Sequence, residues 1–437
     1  MIGRRTATRL PRGKFFIPTR VLLKALGRLV VSDMRRGDRA AVLEARLRER
    51  FGVTHCTTLS TYRMAVHFVL KALELDRGDE VLLTPITIPD TVNAIHVLGL
   101  KPVFVDMDPA THNMDLADLR RKSGDRSRVV LMTHLAGISP EMEAFAEFTA
   151  SRGLALLEDF SQSYGGTWRG KPLGTFGLAG LGSLSAGKTL SSLAGGFVLT
   201  SDTGLFESLR AQAEGLHRPE KITFCYQLAQ ALKINLFASR PVFRLFTWRM
   251  LRFVQRFMPR RFDTIQTPRA VTACIHKDNF FEDRPILRSR MPGAFYFWFS
   301  DWQAELTLYC LDRLNEGNRR RKVLGRALLD RLSPAAMRHV AGALVEPERN
   351  TYYHFPVLCS GDRRDFQEYL LRHGIDSAGY ILCHCAQAEA FRAYACDTPG
   401  ADTIKGQVVF LPVHEDLRDG DITALADVVN RYYASSS

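Results

Sequence analysis

The chain has 437 residues, 46% of them hydrophobic and 24% charged, which is typical of a globular protein of more than one domain and not of a disordered or fibrous chain. Its formal charge of +13 suits a nucleic acid, an anionic lipid surface or an acidic small molecule, and the sign alone does not choose among them. The eight cysteines show no CxxC pair, so we expect neither a zinc site nor a disulfide framework. No apolar run is long enough to cross a bilayer, and we expect neither a signal peptide nor a membrane span. We therefore expect a cytoplasmic protein.

Residues 1–45 are predicted to form a basic N-terminal arm and a helix, and residues 46–214 a large domain. From about residue 55, helical patterns such as AVHFVLKALEL and DTVNAIHVLGL alternate with short apolar runs such as EVLLTP, KPVFVD, RVVLMTH and LALLEDF. This alternation predicts the α/β class, with a mostly parallel sheet flanked by helices. Ligands of such sheets lie beyond the carboxyl ends of the strands, which is where His134, Asp159 and the loop around Lys188 fall.

A basic and aromatic segment interrupts this pattern, and we predict a helical insertion over residues 215–292. Its part 221–262 contains nine Lys or Arg and no acidic residue. Arginines recur there at multiples of four, next to phenylalanines, so one helix face would be basic: Arg240, Arg244, Arg252, Arg256 and Arg260, with Phe243, Phe246, Phe253 and Phe257. Two interpretations stay open: packing against the rest of the protein or a partner subunit, and peripheral contact of residues 240–261 with an anionic membrane.

Residues 293–437 are predicted to hold a long linking helix and a smaller domain. The stretch 303–335 has apolar residues three and four apart among many charges, as in a long amphipathic helix. The apolar runs HFPVLC and QVVFLPV and two helical patterns follow it. This order indicates a C-terminal α+β domain of about 100 residues.

Lys188 lies in an unusual setting, GSLSAGKTLSSLAGG, which offers its amine little polar company. A lysine that forms a Schiff base must lack strong ion pairs and be held on a loop of fixed shape. If the partner is pyridoxal phosphate (PLP), a carboxylate must also face the pyridine nitrogen, and Asp159 follows the apolar run LALL at a strand end. Each residue alone is weak evidence for a PLP site, because an Asp after a strand is commonly a cap and a Lys in a glycine loop is commonly solvated.

Taken in order, several stretches resemble the DegT/DnrJ/EryC1/StrS family of sugar aminotransferases, which have the fold-type I architecture of PLP enzymes. They are GDEVLLTPITIPDTVNAIHVLGLKPVFVDMD, THLAG, LEDFSQSYGGTWRGKPLGTFG, GSLSAGKTLSSLAGGFVLTSD, SDWQAELTLYCLDRL and FLPVHEDL. The resemblance covers most of the chain outside residues 1–45 and 215–292. It implies a seven-stranded sheet in the large domain.

The resemblance also assigns roles to single residues. It implies that Lys188 carries the cofactor as a Schiff base and moves a proton in catalysis, and that Asp159 faces the pyridine nitrogen. Gln162 would lie near the ring hydroxyl and Ser183 would bind the phosphate. His134 is either a neighbour of the cofactor or a strand-end histidine satisfied by backbone.

The chain departs from the family pattern around the cofactor, as in a divergent member. The family usually has Ser-Gly-Thr where this chain has Thr61, Tyr62 and Arg63, so Arg63 is a candidate fork for the phosphate. The position that usually stacks an aromatic ring on the pyridine is Ile88, which can cover it only by apolar contact.

The leading hypothesis is therefore a PLP-dependent aminotransferase that moves an amino group from an amino acid, in the first instance glutamate, to a nucleotide-linked keto sugar. Two alternatives stay open: a PLP-dependent deoxysugar dehydratase or other lyase, and a non-catalytic, membrane-associated scaffold of the same fold. The resemblance implies a homodimer. A nucleic-acid partner is not expected, because the basic excess is concentrated in one apolar segment.

Overall fold

The computed structural model describes residues 9–13, 15–258 and 285–435. Several sequence predictions fall partly outside this range. They concern the start of the arm (residues 1–8 and 14), the part of the insertion from 259 to 284, which includes Arg260 and the end of the stretch 240–261, and residues 436–437.

A seven-stranded sheet forms the centre of the large domain. Its strands are β1 (His55–Leu59), β2 (Glu80–Leu83), β4 (Lys101–Phe104), β7 (Ser127–Thr133), β8 (Ala155–Asp159), β11 (Ala179–Ser183) and β12 (Gly196–Thr200). Their order is β1-β12-β11-β8-β7-β2-β4, and β12 alone runs against the others. The predicted mostly parallel, seven-stranded α/β sheet is confirmed. Short two-stranded pairs complete the strands: β3 (Ile86–Thr87) with β14 (Cys383–His384), β5 (Met107–Asp108) with β6 (Asn113–Met114), and β9 (Thr167–Trp168) with β10 (Lys171–Pro172).

Helices cover both faces of this sheet, as a sheet whose strands are buried on both sides requires. They are α1 (Thr19–Val31), α2 (Asp38–Phe51), α3 (Tyr62–Ala72), α4 (Pro89–His96), α5 (Leu116–Lys122), α6 (Met142–Ser151) and α7 (Thr203–Glu214). The central strands are continuous apolar runs such as VVLM in β7, and their side chains are buried together with the inner sides of the helices. This burial holds the strands in place, and the residues of the candidate site lie where the strands end, at the carboxyl edge of the sheet.

The C-terminal part has a second core of its own. The long helix Asp301–Leu329 begins at a capping box, in which Ser300 and Gln303 satisfy each other's backbone N–H groups. Beyond it, β13 (Phe355–Leu358) pairs antiparallel with β15 (Val408–Leu411), and helices pack around the pair. These helices are Pro334–Met337, Arg363–Arg372, Pro399–Gln407 and Asp419–Ser435. This is the α+β arrangement that the sequence predicts for this region.

The described part of the basic segment is helical. It contains helix α8 (Lys221–Ala238), a short turn Arg240–Val242, a π-helical turn Phe243–Thr247 and the helix Trp248–Phe257. Trp248 Nε1 donates a 2.9 Å hydrogen bond to the carbonyl oxygen of Leu371, which anchors this segment on the C-terminal domain.

The predicted single basic and aromatic face is wrong in two respects. Phe243 is fully buried, and Arg240 forms an ion pair of 2.5 Å with Asp421, so neither belongs to a free surface. The π-helical turn explains the discrepancy, because one extra residue in a turn rotates the positions that precede it relative to those that follow. None of the described helices combines the length and the apolar character needed to cross a membrane.

Candidate active site

The candidate site lies at the carboxyl edge of the sheet, where several chain segments converge. Asp159 ends β8 and Ser183 ends β11, while the antiparallel strand β12 begins at the same edge with Gly196, opposite Ser183. A Cβ atom on Gly196 would lie 2.6 Å from the backbone of Thr61, so this glycine lets the start of α3 pack directly on the strand. The edge therefore brings Asp159, Ser183 and the start of α3 together, as the sequence hypothesis requires.

Asp159 is a buried carboxylate held by the loop that follows it. Its Oδ1 accepts a 3.0 Å hydrogen bond from the backbone N–H of Ser161. The Ser161 hydroxyl accepts in turn from the N–H of Ser183, at 2.9 Å. Burial and the negative charge of Asp159 raise the pKa of Tyr62 well above its ordinary value, so Tyr62 faces the carboxylate as a neutral phenol.

Lys188 lies in the loop between β11 and β12. Its backbone N–H donates to the carbonyl oxygen of Ser185 at 3.0 Å, and the Ser183 hydroxyl donates to Ser185 Oγ at 3.2 Å, so a short turn fixes the start of the loop. Burial lowers the pKa of Lys188 to about 8, although the charge of Asp159 acts in the opposite direction. Within the described residues, no carboxylate forms an ion pair with Lys188. The neutral form of the amine is therefore a minority at pH 7 and reaches about one half near pH 8, a far larger share than an ordinary lysine has, and no salt bridge to the described residues holds the charged form.

Tyr353, which the sequence analysis did not identify, holds the lysine loop from the C-terminal domain. Its hydroxyl donates a 2.7 Å hydrogen bond to the carbonyl oxygen of Gly187, and the amine of Lys188 lies 5.5 Å from the centre of its ring. The segment around Tyr353 is itself fixed to the sheet edge, because the N–H of Thr351 donates to Gly137 at 2.9 Å. The sequence TYYHF gave no spacing signal for this role, since the contact joins positions far apart in the chain.

Gln162 lies in the same layer as Asp159. Its Oε1 accepts a 2.9 Å hydrogen bond from the N–H of Ala136, a residue whose positive φ of 58° marks a tight turn after β7. The bond fixes which way the amide points and leaves its NH₂ group as the donor available for a ligand. The contact of Gln162 with a cofactor ring hydroxyl stays a prediction.

The start of α3 carries the departure from the family pattern. Thr61 caps the helix by accepting from the N–H of Met64 at 3.2 Å. The helix N-terminus here has the backbone polarity that favours an anion. Arg63 does not stand there as an uncompensated cation, because its Nε lies 3.0 Å from Asp90 Oδ2. Arg288 binds the other oxygen of Asp90 at 2.8 Å. Although burial alone would raise it, Arg63 and Arg288 hold the pKa of Asp90 below its ordinary value.

His134 and Ile88 have different surroundings. The fully buried ring of His134 places Nε2 3.1 Å from Glu158 Oε2, and Glu158 also accepts from the N–H groups of Gly174 and Gly177 at 2.9 and 3.0 Å. Since neighbouring strand residues point to opposite faces, His134 lies with Glu158 on the face away from Asp159. The ring is therefore bound by a carboxylate side chain and not by backbone as the structural alternative for His134 predicts, its Nδ1 has no hydrogen-bond partner, and its role toward the cofactor stays a prediction. Ile88 is half-buried at the start of α4 and packs against the main core.

The part of the chain that the structure describes contains no cluster of three or more His, Cys, Asp or Glu side chains suited to a metal ion. The chemistry available at the site is that of an unpaired amine, a buried carboxylate and an anion-binding helix end.

A family comparison identifies the chain. The model of the DegT/DnrJ/EryC1/StrS aminotransferase family matches residues 24–236 and 276–430. The chain belongs to this family. Residues 237–275 stay unmatched, so the stretch peculiar to this DegT/DnrJ/EryC1/StrS chain is shorter than the predicted insertion of 215–292.

Curated relatives agree with the family over part of their length. The chain is 33% identical over 186 residues to the GDP-perosamine synthase of Escherichia coli O157:H7, which is 42% of this chain and 51% of that protein. It is 34% identical over 175 residues to a pleiotropic regulatory protein of Geobacillus stearothermophilus, 40% of this chain and 47% of that protein. It is 32% identical over 174 residues to the UDP-4-amino-4-deoxy-L-arabinose--oxoglutarate aminotransferase of Shewanella sediminis, 40% of this chain and 45% of that protein. These alignments span about half the length of each relative.

Solved structures share the fold over nearly the whole chain. Helicobacter pylori PseC, an aminotransferase involved in pseudoaminic acid biosynthesis, superposes with a TM-score of 0.71 at 19% identity, over 98% of this chain and 100% of that one. The E. coli GDP-4-keto-6-deoxy-D-mannose-3-dehydratase with bound hydrated PLP gives a TM-score of 0.68 at 19% identity, over 93% and 96% of the two chains. At this identity the likeness establishes the shared fold of this DegT/DnrJ/EryC1/StrS protein and no finer property.

Proposed function

We propose that this chain is a PLP-dependent aminotransferase that moves an amino group from an amino acid donor, in the first instance glutamate, to the keto group of a nucleotide-linked sugar. The observation that carries the proposal is Lys188, an amine with a pKa near 8 and no carboxylate partner among the described residues, set at the same sheet edge as the buried Asp159. The names of the GDP-perosamine synthase and the arabinose aminotransferase support the nucleotide-sugar substrate class.

The side chains present fit PLP. The Tyr62 hydroxyl lies beside Asp159 and Thr91, and these groups together with the buried amine of Lys188 supply the carboxylate, hydroxyl donors and nucleophile that a phosphorylated pyridine aldehyde needs. Lys188 would hold the aldehyde carbon and Asp159 the pyridine nitrogen. Ser183 and the α3 N-terminus at Thr61 and Tyr62 would hold the phosphate.

Three further residues complete the proposed cradle or stand beside it. Gln162 would lie near the ring hydroxyl, with its amide fixed by Ala136. Ile88 would cover the ring by apolar contact. Arg63 contributes charge only in combination with its partner Asp90, and His134 supports the sheet edge through Glu158.

The chemistry divides between the cofactor and the chain. When bound, PLP supplies the carbonyl that accepts the amino group and the electron sink that makes the substrate α-hydrogen acidic. Asp159 would keep a proton on the pyridine nitrogen of the bound cofactor, because a buried carboxylate stabilises a cation beside it. Lys188, neutral for much of the time near pH 8, accepts a proton from the substrate carbon and returns it at the other end of the transfer. Tyr353 keeps the loop that carries this amine in place.

A half-reaction assay tests the proposal. PLP-loaded wild-type protein is mixed with glutamate without any sugar, and 2-oxoglutarate is measured. An aminotransferase releases an amount stoichiometric with its sites and turns over only when a nucleotide-linked keto sugar is added. Lys188→Ala should abolish release, while Lys171→Ala, an exposed lysine on a hairpin, serves as the matched control. A sugar that loses water without release of 2-oxoglutarate would establish the dehydratase alternative instead.

We also propose a homodimer, on the resemblance to the family, in which a second copy completes each site. Light scattering of the active protein tests this, and an active monomer would contradict it. Membrane contact is a separate proposal, which rests on different residues.

A further inference from the structure

The helix Trp248–Phe257 and the turn before it present apolar side chains to solvent. Phe246, Phe253 and Phe257 are 55%, 54% and 61% exposed, and Met250 is 37% exposed. Spacings of three and four residues place Met250, Phe253 and Phe257 on one side of the helix, and Phe246 is exposed in the π-helical turn just before it. With Leu245, which is 69% exposed, they form what we call the phenylalanine face.

The opposite side of the same helix is buried and more polar. It contains Thr247, Leu251 and Gln255. The Thr247 hydroxyl donates to the carbonyl oxygen of Phe237 at 2.8 Å, and Gln255 Oε1 accepts from Arg252 at 2.6 Å. Polar side chains are therefore turned inward, with Gln255 Nε2 left without a hydrogen-bond partner, while the phenyl rings are turned outward, the reverse of a helix on a globular surface.

The orientation of this helix is fixed by specific contacts. Trp248 donates to Leu371 at 2.9 Å, and Phe243 and Leu251 pack with Leu371 in a small core of their own. Rotating the helix to bury the phenyl rings would break these contacts. The exposed apolar side is thus a stable feature of the fold, and exposed apolar surface of this kind marks an interaction site.

Arginines border the phenylalanine face. Arg244, Arg249 and Arg256 are exposed, and none forms an ion pair with a carboxylate among residues 9–13, 15–258 and 285–435. The sequence from 221 to 262 contains no acidic residue at all. The positive charge of this border is therefore not compensated locally.

We propose that the phenylalanine face and its arginine border bind the surface of an anionic lipid bilayer. Aromatic rings beside arginines on a helix that lies in the interface plane have the composition of a peripheral anchor, in which the rings enter the headgroup boundary and the arginines bind lipid phosphates. A second copy of the chain fits this face less well. A twofold contact places the same patch on both partners, so two uncompensated arginine borders would face each other.

The proposed anchor uses none of the side chains at the carboxyl edge of the sheet. Membrane binding and amino transfer therefore fail or succeed separately in experiment.

Vesicle flotation tests the proposal with the full chain. Wild-type protein is mixed with phosphatidylcholine vesicles, with and without phosphatidylglycerol, at low and high salt. We expect flotation with the anionic vesicles only, reduced at high salt. The triple variant Phe246→Ser, Phe253→Ser and Phe257→Ser and the triple variant Arg244→Gln, Arg249→Gln and Arg256→Gln should each bind roughly tenfold or more weakly.

Matched controls separate this face from general hydrophobicity and charge. Leu23→Ser, Val30→Ser and Val31→Ser remove three exposed apolar side chains of α1, and Arg120→Gln, Arg152→Gln and Arg319→Gln remove the same charge from other elements. Both controls should float like the wild type, and all variants should keep the wild-type circular dichroism spectrum. No flotation with anionic vesicles, or flotation that the first two triples leave unchanged, would overturn the proposal. So would self-association in solution that the serine triple abolishes, because the occupant would then be a second copy.

Discussion

The Tyr353 hydroxyl donates a 2.7 Å hydrogen bond to the carbonyl oxygen of Gly187, the residue directly before Lys188. This contact links the C-terminal domain to the loop that carries the candidate catalytic amine. Burial raises the pKa of Tyr353, so the hydroxyl stays protonated and remains a donor across the pH range of the enzyme. The position of Lys188 therefore depends on a residue that lies outside the large domain.

Tyr353→Phe is expected to lower kcat/KM about three- to tenfold, because the net contribution of one hydrogen bond is on the order of 1 kcal/mol. The ring, and with it the contact to the Lys188 amine, stays in place. Steady-state kinetics of the full reaction, with glutamate and a nucleotide-linked keto sugar, measures the effect. The control variant Tyr226→Phe removes a hydroxyl on α8 and should leave kcat/KM unchanged. If Tyr226→Phe lowered kcat/KM as much as Tyr353→Phe does, the hydrogen bond of Tyr353 would have no specific role.

Capture of PLP by the cofactor-free protein should depend on pH with a midpoint near 8. The neutral amine is the nucleophile, and burial lowers the pKa of Lys188 to about 8, so the capture rate rises with pH and levels off above that value. Stopped-flow absorbance at a series of pH values measures it. A rate still rising steeply toward pH 10 would show an ordinary exposed lysine.

Asp159→Asn should move this midpoint to a lower pH. The carboxylate favours the charged ammonium form of Lys188 and so raises its pKa, and removing the negative charge leaves burial to act alone. The same capture experiment gives the sign of the shift. Asp202→Asn, the cap of α7, is the control substitution, and a midpoint that moves upward in Asp159→Asn would contradict the arrangement described here.

His134→Ala is expected to affect stability more than catalysis. The substitution leaves the buried Glu158 without its side-chain partner, which costs about 1–3 kcal/mol of the free energy of unfolding. Urea denaturation and the kcat of the folded fraction separate the two effects, with His373→Ala, an exposed histidine, as control. A kcat reduced by two orders of magnitude at unchanged stability would place His134 in the chemistry.

Arg63 and Asp90 should be coupled energetically. Both side chains are largely buried, so Arg63→Ala leaves part of the Asp90 charge uncompensated while Arg288 keeps its contact. A double-mutant cycle with Asp90→Asn should give a coupling on the order of 1–3 kcal/mol in unfolding free energy. Titration of the wild type, the two single variants and the double variant with PLP tests whether Arg63 also binds the phosphate. If the cycle shows no coupling in unfolding free energy and Arg63→Ala alone loses much of its PLP affinity, Arg63 is a phosphate ligand and not the partner of Asp90.

Local sequence patterns predicted most of the fold. The apolar runs that became β7 and β8, and the helical patterns between strands, follow from burial on both faces of a parallel sheet. Asp159 and Lys188 could be found because the first ends a strand and the second lies in the loop that follows one, at the edge where parallel sheets bind their ligands.

Contacts between distant segments could not be predicted in this way. Tyr353 reaches Gly187 through the docking of the second domain, and Asp90 engages Arg63 through the packing of α4 on α3, neither of which leaves a periodic signal. The π-helical turn at Phe243–Thr247 changed which arginines and phenylalanines share a surface, since sequence spacing assumes an uninterrupted α-helix.

Borohydride reduction of the PLP-loaded protein, followed by peptide mass spectrometry, tests the central claim most directly. The account predicts one stable pyridoxyl adduct, on the peptide that contains Lys188, and none in Lys188→Ala. An adduct spread over exposed lysines, or no adduct on Lys188, would contradict the assignment of this amine as the cofactor's attachment point.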